Sequence, residues 1–244
     1  MLYDLLTDHL SLPAVEVGLS RIELYASSGG RAVLCQCEFD AAHCDISMAS
    51  KLNILVPDSI RWSVKKRQAE FITGRYMAKL CLEALSVVDH DVLIGAHREP
   101  LWPEGFTGAI SHTSDRVAAL VADKIAHRFT GLDVENWLDA ETVELIGPDI
   151  HSNSELALLR DQGVNSILAT TIIFSAKESL FKATFPYIGQ YFWFESARVI
   201  KFDRCEASLL LELDKTLSQH CLGVRFFKCR YFIESSSVTT MILN

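Results

Sequence analysis

Two short segments restrict the fold of this chain more than any others. Gly131-Leu132-Asp133-Val134-Glu135 alternates apolar and acidic residues, and Phe174-Ser175-Ala176-Lys177-Glu178-Ser179-Leu180-Phe181-Lys182 repeats at helical spacing. In a strand, successive side chains point to opposite faces, so Asp133 and Glu135 share a face while Leu132 and Val134 point to the core. In a helix, Glu178 and Lys182 share a face one turn apart, and Lys177 projects about 100° around from Glu178. Together the segments offer the carboxylates Asp133, Glu135 and Glu178 and the cations Lys177 and Lys182. Such a set suits a hard divalent cation held against a phosphate ester. Each segment alone has a plainer reading, as the solvated face of an edge strand and as an ordinary helical ion pair. However, Phe174, Phe181 and Phe185 fall on the same side of the helix as Glu178. A carboxylate inside an aromatic stripe is costly unless compensated. Lys182 can compensate it alone, and a metal shared with Asp133 and Glu135 would do so better.

The rest of the chain fills in around these segments. Arg21–Leu24 and Ala32–Phe39 read as strands, with Val33, Cys35, Cys37 and Phe39 on one face. Pro57-Asp58-Ser59 starts a helix, and a long helix is expected from about Val64 to Leu85 with Phe71, Ala78, Leu82 and Leu85 on its apolar side. Pro100 and Pro103 mark an extended loop. Gly108–His112 is a strand, Thr113-Ser114-Asp115 a turn, and Val117–Ala122 the hairpin partner. Phe129–Glu135 is the next strand. Ser152-Asn153-Ser154-Glu155 forms a capping box opening a helix through Leu159, and Ile167–Phe185 is the helix carrying Lys177 and Glu178. Four further strands follow, at Arg198–Phe202, Leu209–Leu213, Gly223–Phe232 and Val238–Leu243. The pattern predicts an α+β fold with helices packed on antiparallel sheets.

Composition sets outer bounds. With 244 residues, 49% of them hydrophobic, the chain can build one large domain or two small ones. No apolar run is long enough to span a bilayer, and Met1-Leu2-Tyr3-Asp4 lacks the basic and apolar regions of a signal peptide. A cytoplasmic monomer with reduced core cysteines is expected. Cys35, Cys37, His43 and Cys44 fit no standard zinc spacing, and the cysteines coincide with a core face. A net charge of −8 argues against a general nucleic-acid binder. An anionic ligand must meet a local cluster, the best being Arg61, Lys65, Lys66, Arg67, Arg75 and Lys79. Its plainer reading is a solvated helix face.

Four segments occur in order: Lys66-Arg67-Gln68-Ala69-Glu70-Phe71 with Gly74-Arg75, Arg98-Glu99-Pro100-Leu101-Trp102-Pro103-Glu104-Gly105 with Gly108-Ala109-Ile110-Ser111-His112, and the two segments above. In this order they resemble phosphopantetheinyl transferases of the siderophore-synthetase type. Ala109 departs from the serine that the family often has there. The first and last fifty residues or so carry no such motif.

The resemblance implies two similar α/β halves in a pseudo-twofold arrangement, with the active site in the cleft between them. Residues 1–115 would serve the 3′-phosphate and adenine of coenzyme A, and residues 116–244 the metal and pyrophosphate. The implied reaction moves the phosphopantetheine arm of coenzyme A onto a serine of an acyl or peptidyl carrier protein and releases adenosine 3′,5′-bisphosphate. Asp133, Glu135 and Glu178 would bind magnesium, or manganese. Lys182 would hold a phosphate oxygen, and Lys177 the pyrophosphate edge or the arm. The base taking the serine proton is either Glu178 or a metal-bound water. His112, with Ser111 nearby, would meet the 3′-phosphate, alongside Arg67, Arg75 and Arg98. The family often has an acidic residue near Glu155, although the capping box accounts for that residue. Two other functions remain open: a metal-dependent phosphohydrolase or phosphodiesterase using the same carboxylates, and a non-catalytic carrier-binding protein. A different nucleotide-binding module is the weakest reading, since neither a Gly-x-Gly-x-x-Gly motif nor a P-loop is present.

Overall fold

A computed structural model describes residues 6–12, 18–87 and 91–244. Its first part contains β1 (Leu6–Leu12), β2 (Leu19–Ser27), β3 (Ala32–Phe39), α1 (Met48–Leu52), α2 (Asp58–Arg61) and α3 (Lys65–Ala84). There follow β4 (Leu93–Ile94), β5 (Pro100–Leu101), β6 (Phe106–His112) and β7 (Arg116–Asp123). Five of these strands form an antiparallel sheet in the order β1-β2-β3-β7-β6. Helix α3 buries Phe71, Ile72, Ala78 and Leu82 in the core that includes Cys35 and Cys37 of β3 and Val117, Ala119 and Val121 of β7. The β3 cysteines are therefore core residues; of all seven, Cys205 alone is exposed.

The second part contains β8 (Thr130–Asn136), α4 (Ala140–Ile150), α5 (Asn153–Arg160), α6 (Ser166–Ile188), β9 (Ala197–Asp203), β10 (Ser208–Leu213), α7 (Lys215–His220), β11 (Phe226–Ile233) and β12 (Ser237–Leu243). A 3₁₀ turn at Phe194–Ser196 leads into β9. The sheet order is β8-β12-β11-β10-β9, again antiparallel throughout, and α6 lies on β8 and β12. Each part is thus a five-stranded antiparallel sheet carrying one long helix, which is the α+β architecture expected, in two similar halves. Among the described residues, no helix is long and apolar enough to cross a membrane.

The division falls between Arg128 and Phe129, not between residues 115 and 116. The hairpin explains the shift. β7 lies between β3 and β6, so it belongs to the first sheet and cannot begin the second half. The extended loop marked by Pro100 and Pro103 includes a two-stranded ladder, with Leu93 opposite Leu101 and Ile94 opposite Pro100. Helix α4 is absent from the sequence reading because Gly147-Pro148 suggests a break. The structure keeps Pro148 inside the helix, which begins where the Asp139 side chain accepts from the Thr142 N–H at 2.7 Å.

Candidate active site

The approach of α6 to β8 builds the site. Small side chains allow it. A Cβ on Gly131 would stand 2.0 Å from the Ser179 carbonyl oxygen and 3.0 Å from the Ala183 Cβ, so no side chain fits there. Ser179 Oγ donates to the Thr240 carbonyl at 3.0 Å, and Ser175 and Ser179 both bond the Thr240 hydroxyl. Thr240 lies opposite Asp133 in the ladder, so these bonds fix the height of α6 over the acidic strand. Gly131→Ala should therefore cost about 3 kcal/mol or more, because both clashing partners are backbone or packed small side chains. Urea denaturation checks this; a loss below about 1 kcal/mol would mean that α6 can lift away from β8 freely.

Gly131, Asp133 and Glu135 share the face of β8 that meets α6. This corrects the expected orientation. Ile242 and Val238, opposite Gly131 and Glu135, belong to the main core of this half, and Leu132 and Val134 lie buried on the other face. The carboxylates are therefore set into the core side of the sheet. Asp133 is 2% exposed, and Lys182 donates to its Oδ1 at 2.7 Å. Burial, reinforced by Asp133 and Glu178 and opposed by Lys182, pushes Glu135 up to about 8. Burial also raises Glu178, again with Lys182 opposing and Asp133 reinforcing. Three carboxylates thus share one ammonium in a desolvated place.

The donor set is all oxygen, carries excess negative charge and is poorly hydrated, which suits a hard dication. Among the described residues, however, no three His, Cys, Asp or Glu side chains are placed to hold a metal together. The Lys182 ammonium sits on Asp133 and partly does a cation's work. A measurable consequence concerns Glu135. A carboxyl with a raised folded-state pKa stabilises the fold most below its ordinary value of 4.5, and that contribution is lost as pH rises to about 8. Glu135→Gln should therefore gain melting temperature relative to the parent between pH 5 and 8 without divalent cations, and the gain should shrink when magnesium is added. A pH-independent difference would contradict the desolvation argument.

Glu178 also borders a cavity of about 390 Å³ formed with Lys177, Phe181, Ala197 and the aromatic run Tyr191, Phe192, Trp193 and Phe194. The rings pack on one another: Phe181 lies 5.3 Å from Phe192 and 5.5 Å from Tyr191, and Phe174 lies 5.5 Å from Phe194. Sequence reasoning finds Phe174, Phe181 and Phe185 but misses Tyr191–Phe194. The signal is four aromatic residues in a row, which fits neither a helical nor a strand period.

Lys177 departs from its expected role. Its ammonium donates to the Ile150 carbonyl at 2.8 Å and the Phe194 carbonyl at 3.1 Å, and it lies 2.8 Å from Glu155 Oε1. An ammonium has three donors, so none is left for a pyrophosphate. Glu155 does form the capping box with Ser152, and it accepts the Val199 N–H at 2.9 Å as well. Burial would raise Glu155, but these hydrogen bonds hold it below the usual carboxylate range.

In the first half, β6 ends at His112, on the sheet face shared with Val117, Ala119 and Val121 of the α3 core. Arg67 Nη1 lies 3.4 Å from His112 Nε2, and the buried Glu70 stands 3.5 Å from Arg67 and 3.6 Å from His112. Glu70 was not among the expected residues, although its spacing from Arg67 places both on one helix face. Arg75 follows two turns after Arg67, stacked 4.7 Å over the Phe71 ring. Burial, with Arg67's charge beside it, pulls its guanidinium down to about 10. Arg61, Lys65 and Lys66 are exposed, as a solvated helix face requires, and Lys79 reaches the carbonyls of Leu52 and Asn53. Arg98 is exposed in the turn between β4 and β5, at φ 69°. Ser111 is buried on the face of β6 opposite His112, because neighbours in a strand alternate. The structure therefore places His112 beside Arg67 and turns Ser111 to the other face of the sheet.

The chain is similar to known proteins in both halves. Residues 57–122 match the family model of the 4′-phosphopantetheinyl transferase N-terminal domain, and residues 130–229 match that of the 4′-phosphopantetheinyl transferase superfamily. Enterobactin synthase component D of Salmonella typhi is 30% identical over 191 residues, covering 76% of this chain and 75% of that protein. The chain belongs to the 4′-phosphopantetheinyl transferase superfamily. The transferase PptT of Mycobacterium tuberculosis is 33% identical over 144 residues, covering 56% of this chain and 60% of PptT. The transferase Npt of Nocardia iowensis is 29% identical over 137 residues, with the same shares. The boundary between the two family models, like that between the two sheets, falls between β7 and β8.

Proposed function

We propose that this chain transfers the 4′-phosphopantetheine arm of coenzyme A to a serine of an acyl or peptidyl carrier protein, releasing adenosine 3′,5′-bisphosphate, with magnesium or manganese as its cation. One observation carries this reading: Glu178 belongs both to a desolvated carboxylate cluster and to an aromatic cavity. A pyrophosphate with a cation matches the cluster, and the uncharged arm matches an apolar cavity with few polar groups. Asp133, Glu135 and Glu178 would hold the cation, which when bound neutralises pyrophosphate charge and orients the β-phosphorus.

The chain's own groups do the rest. Lys182 exchanges Asp133 for a phosphate oxygen and stabilises negative charge as the bisphosphate leaves. Glu178, whose proton affinity is already raised by burial, is positioned to accept the proton of the attacking serine hydroxyl. The serine oxygen bonds to the β-phosphorus as the bond between that phosphorus and the bridging oxygen breaks. Arg67, Arg75, Arg98 and His112 form the cationic side for the 3′-phosphate, to which guanidinium forks are suited.

Coenzyme A should then be preferred over dephospho-coenzyme A. His112→Ala and Arg98→Ala should each lose about ten- to hundred-fold of that preference while keeping activity on the dephospho substrate. Unchanged discrimination in both would make these residues structural and assign the phosphate to Arg67, Arg75 or the lysines beside them. The reaction itself is tested by labelling the arm of coenzyme A and following the label. Transfer leaves it on the carrier, is abolished by a chelator and is restored by magnesium; a phosphohydrolase would instead release it into solution. Carrier domains of siderophore assembly are the first acceptors to try, given the enterobactin synthase relatives.

A further inference from the structure

We infer that Lys177 and Glu155 are a positioning pair: they fix the aromatic wall of the cavity, and through it the grip on the pantetheine arm, without touching the reacting atoms. This rests on the placement of the arm proposed above. The pair is buried, with side chains 2% and 5% exposed. Every donor of the ammonium is engaged, by the end of α4 at Ile150, by Phe194 and by Glu155. Glu155 in turn accepts from Ser152 at the start of α5 and from Val199 of β9. Two helix ends, helix α6, the 3₁₀ turn and a strand are therefore tied at one point.

The wall most needs this tie. Tyr191, Phe192 and Trp193 belong to no helix or strand, and Tyr191 and Trp193 are 67% and 80% exposed. Ring stacking alone sets distances without fixing a backbone. The bond from Lys177 to the Phe194 carbonyl gives the segment a fixed point one residue beyond Trp193. Lys177 also neighbours Glu178 in the chain, so the tie lies beside the carboxylate that borders the cavity. An apolar replacement could fill the volume but would leave the carbonyls of Ile150 and Phe194 without a donor.

The test compares coenzyme A with adenosine 3′,5′-bisphosphate, which shares its phosphates and adenine but lacks the arm. Calorimetric affinities at fixed magnesium are measured for the parent, Glu155→Gln and the double variant Lys177→Met/Glu155→Gln, each checked for folding by circular dichroism. The double variant leaves no lone buried charge, and Glu155→Gln keeps one oxygen for Lys177 and Val199 while giving up the acceptor for Ser152, should the double variant fail to fold. The folded variants should bind the bisphosphate like the parent but lose about ten-fold or more for coenzyme A, about 1.4 kcal/mol. At saturating coenzyme A their kcat should stay near that of the parent while KM rises. If folded variants keep the parent's affinity ratio, the pair only stabilises the fold and the inference falls. If the parent itself binds both ligands equally, the arm lies outside the cavity, and the placement falls before the pair is judged.

Discussion

Asp133→Asn and Glu178→Gln should each reduce transfer by about a thousand-fold or more, a loss of about 4 kcal/mol of transition-state stabilisation. Both substitutions keep shape and remove charge. Asp133 is almost fully buried beside Lys182, and Glu178 is desolvated at the rim of the cavity. Glu178 is poorly placed for stability. A neutral amide relieves its burial and its repulsion by Asp133, so Glu178→Gln should fold as stably as the parent, or more so. Loss of activity together with retained stability is the signature of a group held for chemistry. The measurement is steady-state transfer to a carrier at saturating magnesium, alongside thermal melting. Turnover within ten-fold of the parent for either variant would sink the assignment of these carboxylates to the cation.

Lys182→Ala should lower kcat by about a hundred-fold or more at saturating coenzyme A. Its ammonium lies 2.7 Å from Asp133 and is about a quarter exposed, so it can turn from the carboxylate to an incoming phosphate. The positioning variants of Lys177 should differ in kind, raising KM with kcat nearly kept. Equal kcat losses in both would mean that Lys177 leaves Glu155 and reaches the substrate. An unchanged kcat in Lys182→Ala would reduce Lys182 to a structural partner of Asp133.

The parts of the site that follow a period were legible in the sequence. Asp133 and Glu135 are separated by one strand repeat and Glu178 and Lys182 by one helical turn, and the structure brings Asp133 and Lys182 into contact. The phase of Lys177, about 100° from Glu178, was also legible. Its destination was not, because Glu155 sits on α5 and only the packed fold brings the two together. The core side of β8 was misread for a related reason. Both faces of that strand are buried, so alternation reveals that two faces exist without saying which one α6 covers. Helix α4 was hidden by Gly147-Pro148, and the Tyr191–Phe194 wall has no period to detect. The boundary of the first half was misplaced because a hairpin reads as local, while β7 also pairs with β3 some eighty residues earlier.

The most direct measurement is the intact mass of a carrier domain after incubation with this protein, coenzyme A and magnesium, with a carrier lacking the acceptor serine as control. The carrier should gain the mass of one phosphopantetheine, the serine-less carrier should gain nothing, and Glu178→Gln should produce no gain on the same timescale. An unmodified carrier, with coenzyme A consumed and free phosphopantetheine in solution, would contradict the proposed transfer.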